Sequence, residues 1–343
     1  MPFTRRTILS GVAAAAVVFG LIAGTTAALA QDSIKVGLLR LTSHAPSIIA
    51  EGKGYFEEEG LDVEFVVVQA AQPMAVAIAS GDIDFGMTAV SAGLVSLSER
   101  GAIKVIGGAL METTDVEGQK IIVSKAAHDD GLTSPEELAG RRFGMTTAGS
   151  SFHYMAHKIA DGAGIDRSEM RMVPLQQVPA IIAALRSGQI DAWSIVPNIA
   201  NPLAAGPDVV EIGSVADFIP NYQVTTVFTS TRNVEENRDL VERFLAALSK
   251  GIDDYNAALV DRTMSEEETA EIVAMIHQYV NADMPLADAD RRIRAGAMRI
   301  NPGAALSVAS VADQLEWFRS EGLVPADASM DSLVDASFVE IID

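Results

Sequence analysis

No cysteine occurs anywhere in the 343 residues. That excludes a lipidated N-terminal cysteine as a membrane tether, and it excludes a small secreted domain stapled by disulfides. Basic side chains are scarce too: 25 Lys and Arg stand against 46 Asp and Glu, a formal net charge of −21. Such a balance repels phosphate backbones and anionic lipid, so nucleic acid and membrane surfaces are discounted as partners. Neither a Walker-type phosphate loop nor a G-x-S-x-G elbow is found. Beyond residue 30 no apolar run approaches the roughly 20 residues needed to span a bilayer.

What is present begins with an address. Arg5 and Arg6 form a basic n-region, Ser10 to Thr26 a small apolar h-region, and Ala28-Leu29-Ala30 a small-x-small cleavage site. Residues 1–30 therefore read as a cleavable signal peptide, with Gln31 opening the exported chain. Thr4-Arg5-Arg6-Thr7-Ile8-Leu9 resembles a twin-arginine export signal, with Ile8 where that pattern usually carries Phe, and the Sec route stays open. Past residue 30 the formal charge is −23. The 49% hydrophobic content suffices for two buried cores.

Strand-like runs then alternate with helical ones. Ser33–Leu39, Leu61–Val68, Ile83–Met87 and Lys104–Leu110 are separated by helical stretches at about Ser47–Glu59, Pro73–Ser80 and up to Arg100. A second series follows with strands at Lys120–Ser124, Arg142–Met145, Met170–Val173, Ile190–Ile195, Val209–Ile212 and Tyr222–Thr229. Beyond Asn233 the pattern is helical: Asn237–Leu259, Ser265–Val280, Asp288–Ala297 and Val308–Ser320. Such alternation implies parallel sheets covered by helices. One internal echo organises it. Ala79-Ser80-Gly81-Asp82-Ile83-Asp84 returns as Arg186-Ser187-Gly188-Gln189-Ile190-Asp191, each copy ending a helix on glycine and dropping into a strand. Two similar α/β lobes are the reading.

Ligands of open α/β sheets sit beyond the carboxyl ends of strands. At those ends stand Ser43 and His44, Thr88 and Ala89, the stretch Ser150-Ser151-Phe152-His153, the loop from Trp193 to Asn198, and Tyr222. Ser150 or Ser151 can cap the helix that follows Gly149, and that helix N-terminus offers unpaired N–H groups to an anion or polar group. Dipole attraction contributes at most about 2 kcal/mol, whereas micromolar binding needs about 8. The remainder is assigned to an apolar body packed on Phe152, Trp193 or Tyr222, together with hydrogen bonds. A core position on its strand is the alternative for Trp193, and a solvated turn the alternative for Ser43 and His44. His153 and His157 lie at i, i+4 on one helix face, but Tyr154 stands where the zinc-protease motif needs Glu, so no metal site is assigned. Nor is a cofactor.

Several stretches carry a resemblance to a known family. Ile48-Ile49-Ala50-Glu51-Gly52-Lys53-Gly54-Tyr55-Phe56 with Glu57–Val63, Ala79–Gly86, Leu132–Gly144 and Ser187–Ala192 occur in the expected order, and Trp317–Val324 resembles a C-terminal tryptophan helix. The chain resembles the periplasmic substrate-binding proteins of ABC importers, in the branch for nitrate, sulfonates, taurine and thiamin-type pyrimidines. The resemblance implies an α/β type II periplasmic binding fold: two Rossmann-like lobes joined by two crossing segments, with a helical C-terminal part. Lobe 1 would span 32–118 and 227–343, and lobe 2 would span 119–226. It further implies a monomeric, non-enzymatic receptor in the periplasm. The receptor clamps a small molecule (sulfonate, nitrate, aromatic acid or pyrimidine) and delivers it to an importer permease, without membrane insertion of its own. A ligand-sensing partner of a membrane receptor is the alternative. A thiamin-pyrimidine-synthase-like enzyme is less favoured, because that group resembles one another around a cysteine-rich iron motif that this chain lacks.

Overall fold

The computed structural model describes residues 31–342. The expected signal peptide and its cleavage site lie outside the described residues. In chain order the main strands are Asp32–Leu38 (β1), Leu61–Val67 (β2), Phe85–Thr88 (β3), Ile103–Gly108 (β4), Lys120–Ser124 (β5), Arg142–Met145 (β6), Arg171–Pro174 (β7), Ala192–Ile195 (β8), Val209–Ser214 (β9) and Thr226–Ser230 (β10). They form two five-stranded sheets, ordered β2-β1-β3-β10-β4 and β7-β6-β8-β5-β9. In each sheet the fourth strand of that order, β10 or β5, runs antiparallel to its neighbours. Helices cover both faces, so β3 and β8 are buried at every position and read as apolar runs without alternation.

The internal echo is a structural repeat. Gly81 and Gly188 both take positive φ, 82° and 70°, and turn a helix into β3 and β8. Just past them, the Asp84 N–H donates to the Lys35 carbonyl at 2.8 Å, and its carboxylate accepts the Lys35 N–H at 2.8 Å. In the second sheet Asp191 repeats this on Arg142, donating at 2.8 Å and accepting at 2.7 Å. The two aspartates of the echo thus pin the equivalent strands, β1 and β6, in register with their neighbours.

The chain crosses between the sheets twice, from β4 to β5 and from β9 to β10. The crossing segments lie side by side, with the Glu112 N–H donating to the Tyr222 carbonyl (2.8 Å) and the Val224 N–H to the Leu110 carbonyl (2.9 Å). A strand expected from Tyr222 therefore begins only at Thr226, because Tyr222–Thr225 are engaged in this crossing. The helix expected over 47–59 is two pieces, Ala45–Gly52 and Tyr55–Glu58, broken where Gly54 adopts a φ of 79°.

The C-terminal part is helical as expected, with Arg238–Tyr255, Glu266–His277, Leu286–Ala295 and Val308–Ser320. Arg238–Tyr255 seals the first sheet through Phe244, which stacks on Phe85 at 4.0 Å and on Phe56 at 5.6 Å between ring centroids. Val308–Ser320 reaches the second half instead. Its Trp317 packs edge-on against Tyr154, His153 and His157 of the helix Ser151–Gly162. Among the described residues no helix is long and apolar enough to cross a membrane.

Candidate functional site

Both sheets turn their strand ends toward one small cavity of about 70 Å³. From the first sheet come Ser43 and His44, on the turn after β1, and Thr88 and Ala89, at the end of β3. Ser150, Ser151 and Phe152 close it from the second half, and Gln119 and Thr225 form its floor at the crossing segments. Among the described residues no charged side chain lines it.

His44 is almost fully buried, and burial drives its pKa down to about 3. Its imidazole is therefore neutral at any physiological pH. Nδ1 accepts the Leu39 N–H at 3.5 Å, which leaves the ring proton on Nε2 as a donor. Ser150 occupies the N-cap position of Ser151–Gly162, yet its hydroxyl makes no capping bond. Its Oγ is buried without any partner among the described residues. An unsatisfied buried hydroxyl costs about 1–3 kcal/mol, so a polar ligand atom at this position would be rewarded. The first-turn N–H groups of Ser151 and Phe152 have no intrahelical acceptor either. The cavity is thus a neutral cage of hydroxyls and N–H donors with one aromatic wall.

The two halves touch across it. The Ala92 N–H donates to the Gly149 carbonyl at 2.9 Å. Gly149 has a φ of 73°, and a side chain there would place its Cβ 2.4 Å from that of Ala92. Glycine is required at this position on both counts.

Four of the sequence-based expectations lie elsewhere. Trp193 is wholly buried one strand repeat behind Ile195, which does line the cavity, and it supports Phe152 edge-on at 5.4 Å. His153 points away from the cleft. Its Nδ1 accepts the Gly149 N–H at 3.1 Å, and its Nε2 meets His157 Nε2 at 3.1 Å. Burial, and secondarily His157, hold the His153 pKa down to about 4, and burial also lowers that of His157. Tyr222 belongs to the return crossing, buried against Tyr154 at 5.2 Å, with its hydroxyl held protonated by burial. Asn198 opens the helix Pro197–Ala204 and faces an outer groove rather than the cavity.

Residues 41–258 match the family described as NMT1/THI5 like, well over half of the chain. The chain belongs to the NMT1/THI5-like family. A Brucella abortus protein whose designation as a binding protein is itself inferential is 25% identical over 238 residues, covering 69% of this chain and 68% of that one. The taurine-binding periplasmic protein of Escherichia coli is 28% identical over 175 residues, 50% of this chain and 52% of that one. In three dimensions the chain is similar to the alkanesulfonate-binding protein of Xanthomonas axonopodis bound to MOPS. The TM-score is 0.69 at 16% identity, over 90% of this chain and 100% of that one. The fold is that of the periplasmic binding proteins, two α/β lobes with two crossings. The relatives named here are binding proteins.

Sequence reasoning missed Gln119 and Thr225 on the cavity wall. Gln119 and Thr225 immediately precede β5 and β10, the antiparallel strands. The strand-end rule for parallel sheets looks only past the carboxyl ends. An antiparallel strand brings its beginning to the same edge, and nothing in the local pattern announces that reversal.

Proposed function

We propose that this family member is an exported, non-enzymatic receptor that encloses a small solute between two lobes and passes it to an ABC importer. The lobes are 32–118 with 227–343, and 119–226. The observation that carries the reading is the cavity itself: walls contributed by both halves and by the crossing segments, with no charged side chain among the described residues. A general base works best with a pKa near ambient pH, and the one imidazole present is held near 3. That environment favours binding over acid–base chemistry. The relatives named for taurine and alkanesulfonate support the same class of small organic or anionic solute, and the first of them supports a periplasmic location.

A thermal-shift screen of the purified protein against sulfonates, nitrate, aromatic acids and pyrimidines tests it. At a hundred times its dissociation constant a ligand adds about 2.7 kcal/mol of stability. A clear upward shift with at least one class is expected. Silence across all four would overturn the solute-class reading.

A further inference from the structure

Outside the small cavity, and sharing Leu39, Leu41 and Val178 with it, lies a groove of about 550 Å³. Ligand pockets generally span about 300–1,000 Å³. The inner cavity falls well below that range and the groove falls within it, so the bulk of a typical organic ligand fits only if it extends outward. The groove walls are largely apolar, with Val178 and Ile182 from one half facing Leu39 and Leu41 from the other.

The polar groups at its rim are unevenly matched. Arg40 and Arg292 both line the groove, and neither takes part in an ion pair among the described residues. This is unusual locally. Arg291 and Arg294, on the same helix as Arg292, are paired with Asp288 and with Asp290 and Glu266. Asn281, on the same wall, holds a buried Nδ2 with no acceptor among the described residues. Asn198 adds a further amide, and Asp283 is the one carboxylate. Two guanidiniums and an orphaned amide donor against a single carboxylate make a net positive, donor-rich rim, on a chain whose charge is −21.

We infer that the ligand is an amphiphilic acid. Its apolar body fills the groove, and its carboxylate or sulfonate binds at Arg40, Arg292 and Asn281, while a small uncharged end enters the inner cavity. The inference rests on the receptor reading and adds to it the size of the ligand and the place of its charge. Guanidinium matches either acid group in bidentate geometry. Because the groove takes walls from both halves, such a ligand stabilises their contact.

The test is titration calorimetry of the purified protein at low salt. Octanoate, octanesulfonate and 4-phenylbutanoate are compared with octanamide, and with acetate, methanesulfonate, taurine and nitrate. At least one of the long acids should bind ten times or more tighter than the amide and than every short anion. Arg292→Gln and Arg40→Gln should each weaken that acid about tenfold while leaving the thermal midpoint and octanamide binding unchanged, since both side chains are exposed. If taurine, nitrate or methanesulfonate binds tightest and neither variant matters, the outer anion site is overturned and the receptor reading stands. Tighter binding of the amide likewise overturns the placement of charge. Silence from every compound, with the pyrimidine and aromatic screen also negative, overturns both.

Discussion

Gly149 is a position where one atom decides the contact between the halves. Its φ of 73° costs an L-residue about 1–2 kcal/mol, and a methyl group would also press on Ala92. Gly149→Ala is expected to lower the thermal midpoint by a few degrees and to weaken solute binding about tenfold. Adding Ala92→Gly should restore only the part due to the clash, which differential scanning calorimetry of the three variants resolves. Glu112 is the other decisive residue. It is wholly buried in the first crossing segment and accepts from the Gln119 N–H at 3.0 Å, yet burial still raises its pKa to about 7. Between pH 4.5 and 7 the unfolded chain releases this proton while the folded chain keeps it, so this group's contribution to stability falls as pH rises through that window. Glu112→Gln should therefore be more stable than the parent at pH 8, by a few kcal/mol, and indistinguishable from it near pH 4. Urea unfolding at the two pH values checks the sign. Gly149 is legible in sequence as the glycine turn before a capped helix, but its contact with Ala92 is not, and Glu112 is one acid among 46 Asp and Glu.

At the scale of elements, the helix Ser151–Gly162 joins the cavity to the C-terminal part. With His153 Nδ1 accepting from Gly149, the ring proton sits on Nε2 and is directed at His157. His157 Nδ1 then lies 3.6 Å from the Glu321 carboxylate, which also binds Arg167 at 2.7 Å. Tyr154 and Lys158 of the same helix meet Asp313. Both histidines have lowered pKa values, so as pH falls below about 6.5 the unfolded chain takes up protons that the folded helix refuses, for His153 down to about pH 4. Their contribution is complete above pH 6.5 and declines as pH falls. The thermal midpoint is expected to drop across that window, and His153→Gln with His157→Gln should flatten the drop. Part of the slope persists in that variant, because His44 titrates in the same direction. The i, i+4 spacing was legible in sequence. Its partners, Trp317 and Glu321, lie more than 150 residues away, and only packing brings them there.

For the whole molecule, the Gly149–Ala92 bond and the shared groove describe halves in contact. A receptor must also open, and the paired crossing segments are where such a motion can pivot without breaking either sheet. X-ray scattering with a solute that raises the thermal midpoint should give a smaller radius of gyration than scattering without it. An unchanged radius with a tightly bound solute would count against closure.

The repeated helix–Gly–strand motif, the alternation of apolar runs and the glycine–serine turn were sufficient to specify two α/β halves and the helical C-terminal part, including Val308–Ser320 to the residue. Those features rest on local periodicity and turn chemistry, which short stretches of chain carry by themselves. Ser43, His44, Thr88, Ala89, Ser150, Ser151 and Phe152 reach one cavity because strand ends converge in such sheets. Tertiary structure alone decided that Trp193, His153 and Tyr222 stand behind that cavity, and that Gln119 and Thr225 floor it. Which side of a strand or helix meets the cleft depends on what packs against the opposite side. Those partners are distant in sequence, and a local pattern holds no information about them.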